Sequence, residues 1–207
     1  EEEIRRLKLF FDNFDVGQLN LKLSLDSRNF KTVSSFIDYG VLIINDITGF
    51  KDNKFLDLLL NKNISIIIMH MQKNPEKMQE NPSYEFPVID IYEFFKDKIK
   101  FLLENGVKKS QIIIDPGFGF GKTLEHNFEI LNNLEKFNVL DTPILAGFSR
   151  KSMIYKTLKT SSEKALNGTS SLNTIALTKG AKILRVHDVK EAKECIILHE
   201  KTISSLF

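Results

Sequence analysis

Short apolar runs recur along the chain and alternate with segments of helical spacing, and this alternation constrains the possible folds most strongly. Each run is rich in β-branched residues and has the length of a buried strand. The runs are Leu21–Leu25, Val41–Ile44, Ile64–Met69, Gln111–Ile114, Pro143–Ala146 and Ala181–Val186. Strands that alternate with helices predict a parallel sheet with right-handed crossovers. The pattern fits an open doubly wound sheet as well as a closed barrel.

Two of the intervening segments have clear helical periodicity. In the first, apolar residues recur every three or four positions from Val88 to Leu102, and Gly106 is suited to end that helix. In the second, a similar spacing runs from Leu124 to Leu134, and Thr123 is a candidate N-cap. These segments predict two amphipathic helices that pack on the sheet.

Length and charge favour one domain that binds a small molecule. A chain of 207 residues with 42% hydrophobic content can bury one substantial core. Its 29 basic and 27 acidic residues leave a net charge of +2. That balance gives no basic field of the kind that nucleic-acid or anionic-membrane binding requires. We therefore expect neither a nucleic-acid nor a membrane partner.

Three further features are typical of a soluble cytoplasmic protein. The lone Cys195 cannot form an internal disulfide, and it lies in an apolar helical stretch that predicts a buried thiol. The longest apolar runs, such as Ile64–Met69, are far shorter than a membrane span. The acidic start Glu1–Glu3 is unlike a signal peptide. We expect a cytoplasmic location.

Polar side chains follow every predicted strand. In both candidate architectures, ligands bind beyond the carboxyl ends of the strands. The residues at those ends are Asp26; Asn45 and Asp46; His70 and Gln72; Asp115; Ser149, Arg150 and Lys151; Arg185, His187 and Asp188. A purely structural protein would not need such a concentration at one edge, so the pattern predicts a binding site there.

Several of these residues also have a structural interpretation. Asp46, Thr48, Ser149 and Asp188 are each suited to cap a following helix, and for Asp188 we favour capping over catalysis. His70, between two methionines, is interpreted as a packing histidine. No His, Cys, Asp or Glu spacing predicts a structural zinc site.

Arg185 and His187 are harder to explain by packing. They are two residues apart on a predicted strand and therefore project to the same side. An arginine and a histidine side by side are suited to bind one anion.

The segment from Asp115 to Thr123 reads Asp-Pro-Gly-Phe-Gly-Phe-Gly-Lys-Thr and resembles a phosphate-binding loop. The nucleotide-binding loop requires a glycine five positions before Gly121, where this chain has Pro116. Proline also lacks the backbone N–H that such a loop uses. We therefore reject a nucleotide-kinase function.

An alternative interpretation of the loop begins with its aspartate. A buried carboxylate, with an amide such as Asn45 from another strand, can bind the amino group and ring N–H of a guanidine-like heterocycle. Pterins present that edge. Phe118 and Phe120 either lie near an aromatic substrate or pack beneath the loop.

Five motifs in order resemble those of the dihydropteroate synthases. They are Ile44–Gly49, Met69–Gln72, Asp115–Lys122, Phe148–Ser152 and Arg185–Asp188, and the resemblance covers essentially the whole chain. It implies a TIM-type (β/α)8 barrel of the α/β class, with six of the eight strand–helix units visible. It also implies one pterin-binding barrel domain over residues 1–207, N-terminally incomplete because two strands would precede Glu1.

The resemblance implies a reaction in folate biosynthesis. In it, p-aminobenzoate displaces diphosphate from 6-hydroxymethyl-7,8-dihydropterin diphosphate, and a dissociative mechanism would leave a cationic pterin methylene stabilised by Asp26 and Asp115. The implied roles are pterin binding by Asp26, Asn45, Asp115 and Lys151, p-aminobenzoate contact by Ser152, and diphosphate binding by Arg185, Val186 and His187. It further implies Mg²⁺, with its protein ligand upstream of Glu1, and a homodimer.

The sequence departs from the family's pattern at two places. Ser27 follows Asp26 where the family usually has threonine, and the run Asn167–Ser171 is more polar than is usual there.

Two alternative functions remain. The nearer one is a pterin-binding methyltransferase domain, and the other is a non-catalytic pterin-binding paralogue. The anion pair Arg185 and His187 and the glycine loop favour the synthase.

Overall fold

A computed structural model of the chain describes residues 1–18, 21–49, 54–73, 77–78 and 80–205. These residues contain six strands, each followed along the chain by a helix. The strands are β1 (Leu23–Asp26), β2 (Val41–Asp46), β3 (Ser65–Met69), β4 (Ile112–Asp115), β5 (Ile144–Ala146) and β6 (Ala181–Leu184). The helices are α1 (Glu2–Asn13), α2 (Phe30–Phe36), α3 (Phe55–Asn61), α4 (Pro87–Glu104), α5 (Leu124–Asn132), α6 (Ser152–Tyr155), α7 (Leu166–Thr178) and α8 (Val189–Ser204).

All six predicted strands are present, with shifted ends. β2 and β4 continue to Asp46 and Asp115, so two predicted strand-end residues belong to the strands themselves. β6 ends at Leu184, and the prediction that Arg185 and His187 lie on this strand is wrong. The backbone of Arg185 still donates a hydrogen bond to Ala146 at 2.9 Å, so the chain remains beside β5 for one residue more.

The first of two compact units comprises Glu1–Met69 and Asp97–Ile113. Within it β1 pairs in parallel with β2, and β2 pairs in parallel with β3. Ile44, Ile66 and Ile68 are fully buried, as expected for strands covered on both faces. The pairing places Asp26 of β1 opposite Asn45 of β2.

The second unit comprises His70–Lys96 and Ile114–Phe207. Ile114 of β4 pairs with Ile144 of β5, and β5 pairs with β6, again in parallel. Phe118, Phe137 and Phe148 are fully buried in this unit. Parallel strands alternating with helices are the predicted α/β class. No helix among the described residues is long and apolar enough to span a membrane.

Local sequence explains where the two predicted helices begin and end. The hydroxyl of Thr123 accepts a hydrogen bond from the His126 N–H, which confirms Thr123 as the N-cap of α5. Past the end of α4, Gly106 adopts a φ of +88°, a conformation that favours glycine. The N–H groups of Gly106 and Val107 then satisfy the carbonyls of Leu103 and Leu102.

Candidate active site

Asp115, the last residue of β4, is 6% exposed and lies at the start of the glycine-rich loop. Its Oδ1 accepts a hydrogen bond of 2.7 Å from the Gly117 N–H. Burial raises the pKa of the Asp115 carboxyl, whereas the Gly117 N–H and three nearby cations, Lys151, Lys122 and Arg185, lower it. A buried carboxylate surrounded by cations is suited to bind polar N–H groups of a ligand.

Lys122 is the lysine of the Gly-Lys-Thr sequence, and it is only 4% exposed. Its Nζ donates hydrogen bonds to the carbonyls of Gly117 at 2.9 Å, Phe120 at 3.0 Å and His70 at 3.2 Å. Burial lowers the pKa of Lys122 to about 7; the Asp115 carboxylate raises it, and Lys151 lowers it further. The lysine therefore binds the loop's own carbonyls, which agrees with the rejection of a nucleotide-binding loop.

Gly121 brings the loop close to the residues after β3. It has a φ of +64°, and an added Cβ would lie 2.9 Å from Gln72 Cβ and 3.0 Å from the Gln72 carbonyl oxygen. The Tyr84 hydroxyl donates a hydrogen bond of 2.9 Å to the Gly121 carbonyl. Gln72 in turn exchanges two hydrogen bonds with the backbone of Ser83. These contacts fix the far end of the loop.

His70 is buried, as the packing interpretation predicts, and its ring meets Phe94 edge to face at 5.0 Å. Its Nδ1 also lies 3.2 Å from Lys122 Nζ and accepts from it when the amine is the donor. Burial, aided by the Lys122 charge, lowers the pKa of His70 to about 3. His70 therefore stays neutral in the folded protein at ordinary pH.

This shift predicts a loss of stability in mild acid that is due to His70. Below its ordinary pKa of 6.5 the unfolded chain binds a proton that the folded chain refuses until about 3. The free energy of unfolding should therefore fall by up to about 1.4 kcal/mol per pH unit in that window. Urea unfolding of the wild type and His70→Asn between pH 6.5 and 5 measures it, because asparagine keeps an acceptor near the Nδ1 position but does not titrate.

The matched control is His199→Asn in α8, where the side chain is half-buried. This variant should keep the wild-type pH dependence. A His70→Asn slope equal to that of the wild type would contradict the assignment.

Lys151 is the N-cap residue of α6, and the structure brings it to the Asp115 loop as predicted. Its Nζ donates to the Phe118 carbonyl at 2.6 Å and lies 4.6 Å from the centre of the Phe120 ring. Burial lowers the pKa of Lys151 to about 8, whereas the Asp115 carboxylate raises it and Arg185 lowers it. Gly119 allows this approach, because an added Cβ would lie 3.3 Å from Lys151 Cδ.

The ring of Phe118 favours the packing alternative over contact with a substrate. It is fully buried and packs edge to face against Phe148, with centroids 5.2 Å apart. Because no ring surface is exposed, the prediction that the Phe118 side chain contacts the substrate is corrected to packing beneath the loop. The Phe118 carbonyl accepts the hydrogen bond from Lys151. Phe120 is half-buried beneath that lysine, and Ser152 is the first residue of α6.

Beyond β6, Arg185 and His187 are exposed while Val186 between them is half-buried. The alternation expected of a strand therefore persists after the strand ends. The His187 backbone N–H donates to the Ser149 hydroxyl at 3.3 Å, and His187 Nδ1 lies 3.0 Å from the same hydroxyl. Ser149 thus orients a site histidine, and its alternative interpretation as a helix cap is wrong.

Asp188 occupies the N-cap position of α8, but its side chain makes no capping hydrogen bond, so the predicted cap is wrong. Instead it forms a two-pronged salt bridge with Arg150, each prong 2.8 Å long. The Arg150 N–H also donates to the Thr169 hydroxyl, within the polar run noted in the sequence. Sequence reasoning missed this network, although the opposite charges beside Lys151 and His187 could have indicated it.

Asp26 and Asn45 lie in the first unit, on neighbouring strands and in matching register. Asn45 is 5% exposed, and its Oδ1 is a buried oxygen without a hydrogen-bond partner among the described residues. An unpartnered buried amide oxygen is costly, and a polar ligand would satisfy it. Asp26 is exposed.

Asp46 forms a turn and does not cap a helix. Its Oδ1 accepts hydrogen bonds from both the N–H and the hydroxyl of Thr48. Among the described residues the next helix is α3, which begins at Phe55, so neither Asp46 nor Thr48 is its N-cap. The pair stabilises the turn that follows Asn45.

Similarity to known proteins agrees with the geometry of the site. The family model described as pterin binding enzyme matches residues 1–187. Dihydropteroate synthase of Escherichia coli strain K12 is 34% identical over 99% of this chain and 72% of that protein. Dihydropteroate synthase of Clostridium beijerinckii is 39% identical over 92% of this chain and 69% of that protein.

Solved structures show the same fold. Dihydropteroate synthase of Thermus thermophilus in complex with 6HMPPP has a TM-score of 0.90 and 31% identity, over 97% of this chain and 79% of that one. The same enzyme in complex with 4-aminobenzoate has a TM-score of 0.89 and 31% identity, over 97% and 77%. The fold is that of a pterin-binding enzyme, a TIM-type barrel of the α/β class.

The chain belongs to the pterin-binding enzyme family and, within it, to the dihydropteroate synthases. Its relatives are transferases of folate biosynthesis, so the predicted family, fold class and enzyme class are confirmed.

Proposed function

We propose that this protein condenses 6-hydroxymethyl-7,8-dihydropterin diphosphate with p-aminobenzoate to give 7,8-dihydropteroate and diphosphate. The observation that carries the proposal is the grouping, in the second unit, of the buried Asp115 carboxylate with Lys151. Its relatives' structures with 6HMPPP and with 4-aminobenzoate support the two substrates.

For the pterin, Asp115 and Lys151 offer complementary groups. The carboxylate accepts hydrogen bonds from the amino group and ring N–H, and the Lys151 ammonium donates to the carbonyl oxygen and a ring nitrogen. Because Lys151 is already held by the Phe118 carbonyl, little conformational entropy is lost when it meets the ligand. A pterin therefore offers donors to the Asp115 carboxylate and acceptors to the Lys151 ammonium.

For the diphosphate, Arg185 and His187 supply the positive groups. Cleavage of the C–O bond leaves both bonding electrons on the diphosphate oxygen, so cations beside that oxygen lower the barrier. The electron-deficient pterin methylene is stabilised by the Asp115 carboxylate. The amine of p-aminobenzoate, held near Ser152, then forms the C–N bond and releases a proton.

Mg²⁺ is part of the proposal as an ion that enters with the substrate. Among the described residues, no three His, Cys, Asp or Glu side chains cluster closely enough to hold a metal. Mg²⁺ is commonly bound by phosphate oxygens and water with few protein ligands, and when bound it neutralises charge on the leaving group. The described residues therefore fit the ion as a companion of the diphosphate.

The remaining assignments stay predictions. Within the first unit, matching register and the unpartnered Asn45 oxygen support pterin binding by Asp26 and Asn45. One pterin-binding barrel domain over residues 1–207, a homodimer, a cytoplasmic location, and the absence of nucleic-acid and membrane partners also stay predictions.

The test is diphosphate release by the purified full-length protein with the pterin diphosphate, p-aminobenzoate and Mg²⁺. We expect release that depends on p-aminobenzoate and yields dihydropteroate in equal amount. A methyltransferase domain would bind the pterin without releasing diphosphate, and a non-catalytic paralogue would bind both substrates unchanged. Either result would refute the synthase function.

Replacing Arg185 by alanine should separate the two halves of the substrate. Arg185→Ala is expected to weaken binding of the pterin diphosphate roughly 10- to 100-fold, since a hydrogen bond to a charged group contributes about 1.5–3 kcal/mol. Bare pterin should bind almost as in the wild type. Isothermal titration with both ligands measures the difference.

Lys182→Ala is the matched control, because Lys182 is an exposed cation near the start of β6, the strand that ends just before Arg185. It should leave both affinities unchanged. Equal losses of bare pterin and pterin diphosphate in Arg185→Ala would contradict the division of roles.

A further inference from the structure

The salt bridge between Arg150 and Asp188 joins the two segments that carry proposed substrate-binding residues. Lys151 directly follows Arg150, and His187 directly precedes Asp188. Arg150 Nε and Nη2 donate to the two carboxylate oxygens of Asp188, each at 2.8 Å. Such a two-pronged arrangement fixes direction as well as distance. The two side chains are about one-quarter and one-fifth exposed, at 25% and 19%.

Arg150 is itself held in a conformation that non-glycine residues rarely adopt. Its φ is +54°, in the left-handed region, which is uncommon for a residue with a side chain. Its backbone N–H donates to the Thr169 hydroxyl at 3.0 Å, and its Nη1 donates to the carbonyls of Ser162 and Glu163. Such backbone conformations persist where several contacts enforce them, and they concentrate at functional sites.

A second contact joins the same two segments one residue further on. The Ser149 hydroxyl lies 3.0 Å from His187 Nδ1 and accepts the His187 backbone N–H at 3.3 Å. Residues 149 and 150 of one segment are thus tied to residues 187 and 188 of the other. Lys151 and His187 are adjacent to these contacts in the chain, so the contacts fix the backbone positions from which both side chains extend.

We propose that Arg150 and Asp188 are a positioning pair that sets the spacing between the pterin-binding Lys151 and the diphosphate-binding His187. The inference rests on the proposed function, because only a substrate with both groups needs that spacing. The bond that breaks lies between the two ends of the substrate, so a misplaced end raises the barrier to cleavage. Arg150 also lowers the pKa of Asp188, which keeps the pair ionised at neutral pH.

The test uses Asp188→Asn, Arg150→Gln and the double variant in the full-length protein. Each should lower kcat/KM for the pterin diphosphate about 10- to 100-fold, since a displacement of about 1 Å can cost that much. Bare pterin contacts Lys151 but not His187, so its binding does not depend on the spacing between them. Its affinity should therefore change by less than about 3-fold. The double variant should resemble the single ones, because they remove the same interaction.

Glu135→Gln is the matched control. It breaks another salt bridge of the second unit, the 3.0 Å contact between Glu135 and Lys179, away from the proposed site residues. Its kcat/KM should equal that of the wild type, and its Tm should match that of Asp188→Asn. Partial recovery of kcat/KM in Asp188→Glu would support a positioning role.

Three outcomes would overturn the positioning pair. In the first, Asp188→Asn has the same kcat/KM as Glu135→Gln. In the second, the losses of kcat/KM in the two single variants add in the double variant. In the third, kcat/KM for the pterin diphosphate and affinity for bare pterin fall equally, together with a lowered Tm. The last would show that the bridge acts only on folding. A wild type without p-aminobenzoate-dependent diphosphate release would instead refute the proposed function, and the pair with it.

Discussion

Asp115→Asn should abolish useful pterin binding while leaving the protein folded. Asparagine has the same shape and can still accept the Gly117 N–H, but it offers one acceptor oxygen and no charge to the ligand. Hydrogen bonds to a charged group contribute about 1.5–3 kcal/mol each, so losing two weakens binding roughly 100-fold or more. Isothermal titration with bare pterin measures the loss.

Stability distinguishes this loss from unfolding. Burial raises the pKa of Asp115, which means that its charge is held at a cost in the folded state. The neutral variant should therefore unfold at the same urea concentration as the wild type or a higher one. Asp90→Asn, at an exposed position in the first turn of α4, is the matched control for both measurements. A variant that keeps its affinity within a few-fold would remove Asp115 from the pterin site.

The fold was predictable because its signals are local. The runs that became β2, β3 and β4 are continuous and rich in β-branched residues; β4 is buried throughout, β3 except at its first residue, and β2 over its last three residues. The end of β6 was not predictable, since Arg185 has a strand-like neighbourhood and still keeps one backbone bond to Ala146. Strand ends depend on partners that a single sequence does not show.

The grouping of Asp115 with Lys151 was predictable from the sequence, whereas the contacts of other candidate residues were not. Position at a strand end was enough to select Asp115 and Lys151. It was not enough to decide whether Asp188 caps α8 or pairs with Arg150, because both roles place the residue directly before that helix. Choosing between them requires knowing which segments meet in space. The same limit applies to Phe118, whose burial depends on Phe148 in a distant segment of the sequence.

Lys122 shows the opposite case, in which a motif suggested a role and the structure assigned another. The sequence places it where a phosphate-binding lysine would be, and Pro116 argued against that function. The structure gives it three carbonyl acceptors and His70 Nδ1, from both ends of the glycine loop and from the end of β3. The loop that carries Asp115 is therefore organised around a buried amine, which has direct consequences for stability.

Lys122→Met should destabilise the protein by about 3 kcal/mol or more, because it leaves several buried carbonyls without a donor and each costs about 1–3 kcal/mol. Methionine has nearly the length and volume of the lysine side chain, so the lost hydrogen bonds dominate over packing. Urea unfolding gives the free energy of unfolding. The matched control is Lys179→Met: Lys179 also donates to a carbonyl and to a carboxylate, but in a more exposed setting. That control should lose about 1 kcal/mol or less.

The dependence of this loss on pH tests its cause. Burial lowers the pKa of Lys122 to about 7, against its ordinary value of 10.5. Between these values the unfolded chain holds a proton that the folded chain has released, so the wild type gains stability as the pH rises. Lys122→Met cannot gain it, and its deficit relative to the wild type should widen from pH 7 to pH 9. A deficit that is constant with pH, or no larger than that of Lys179→Met, would show that Lys122 is not the buried amine that organises the loop.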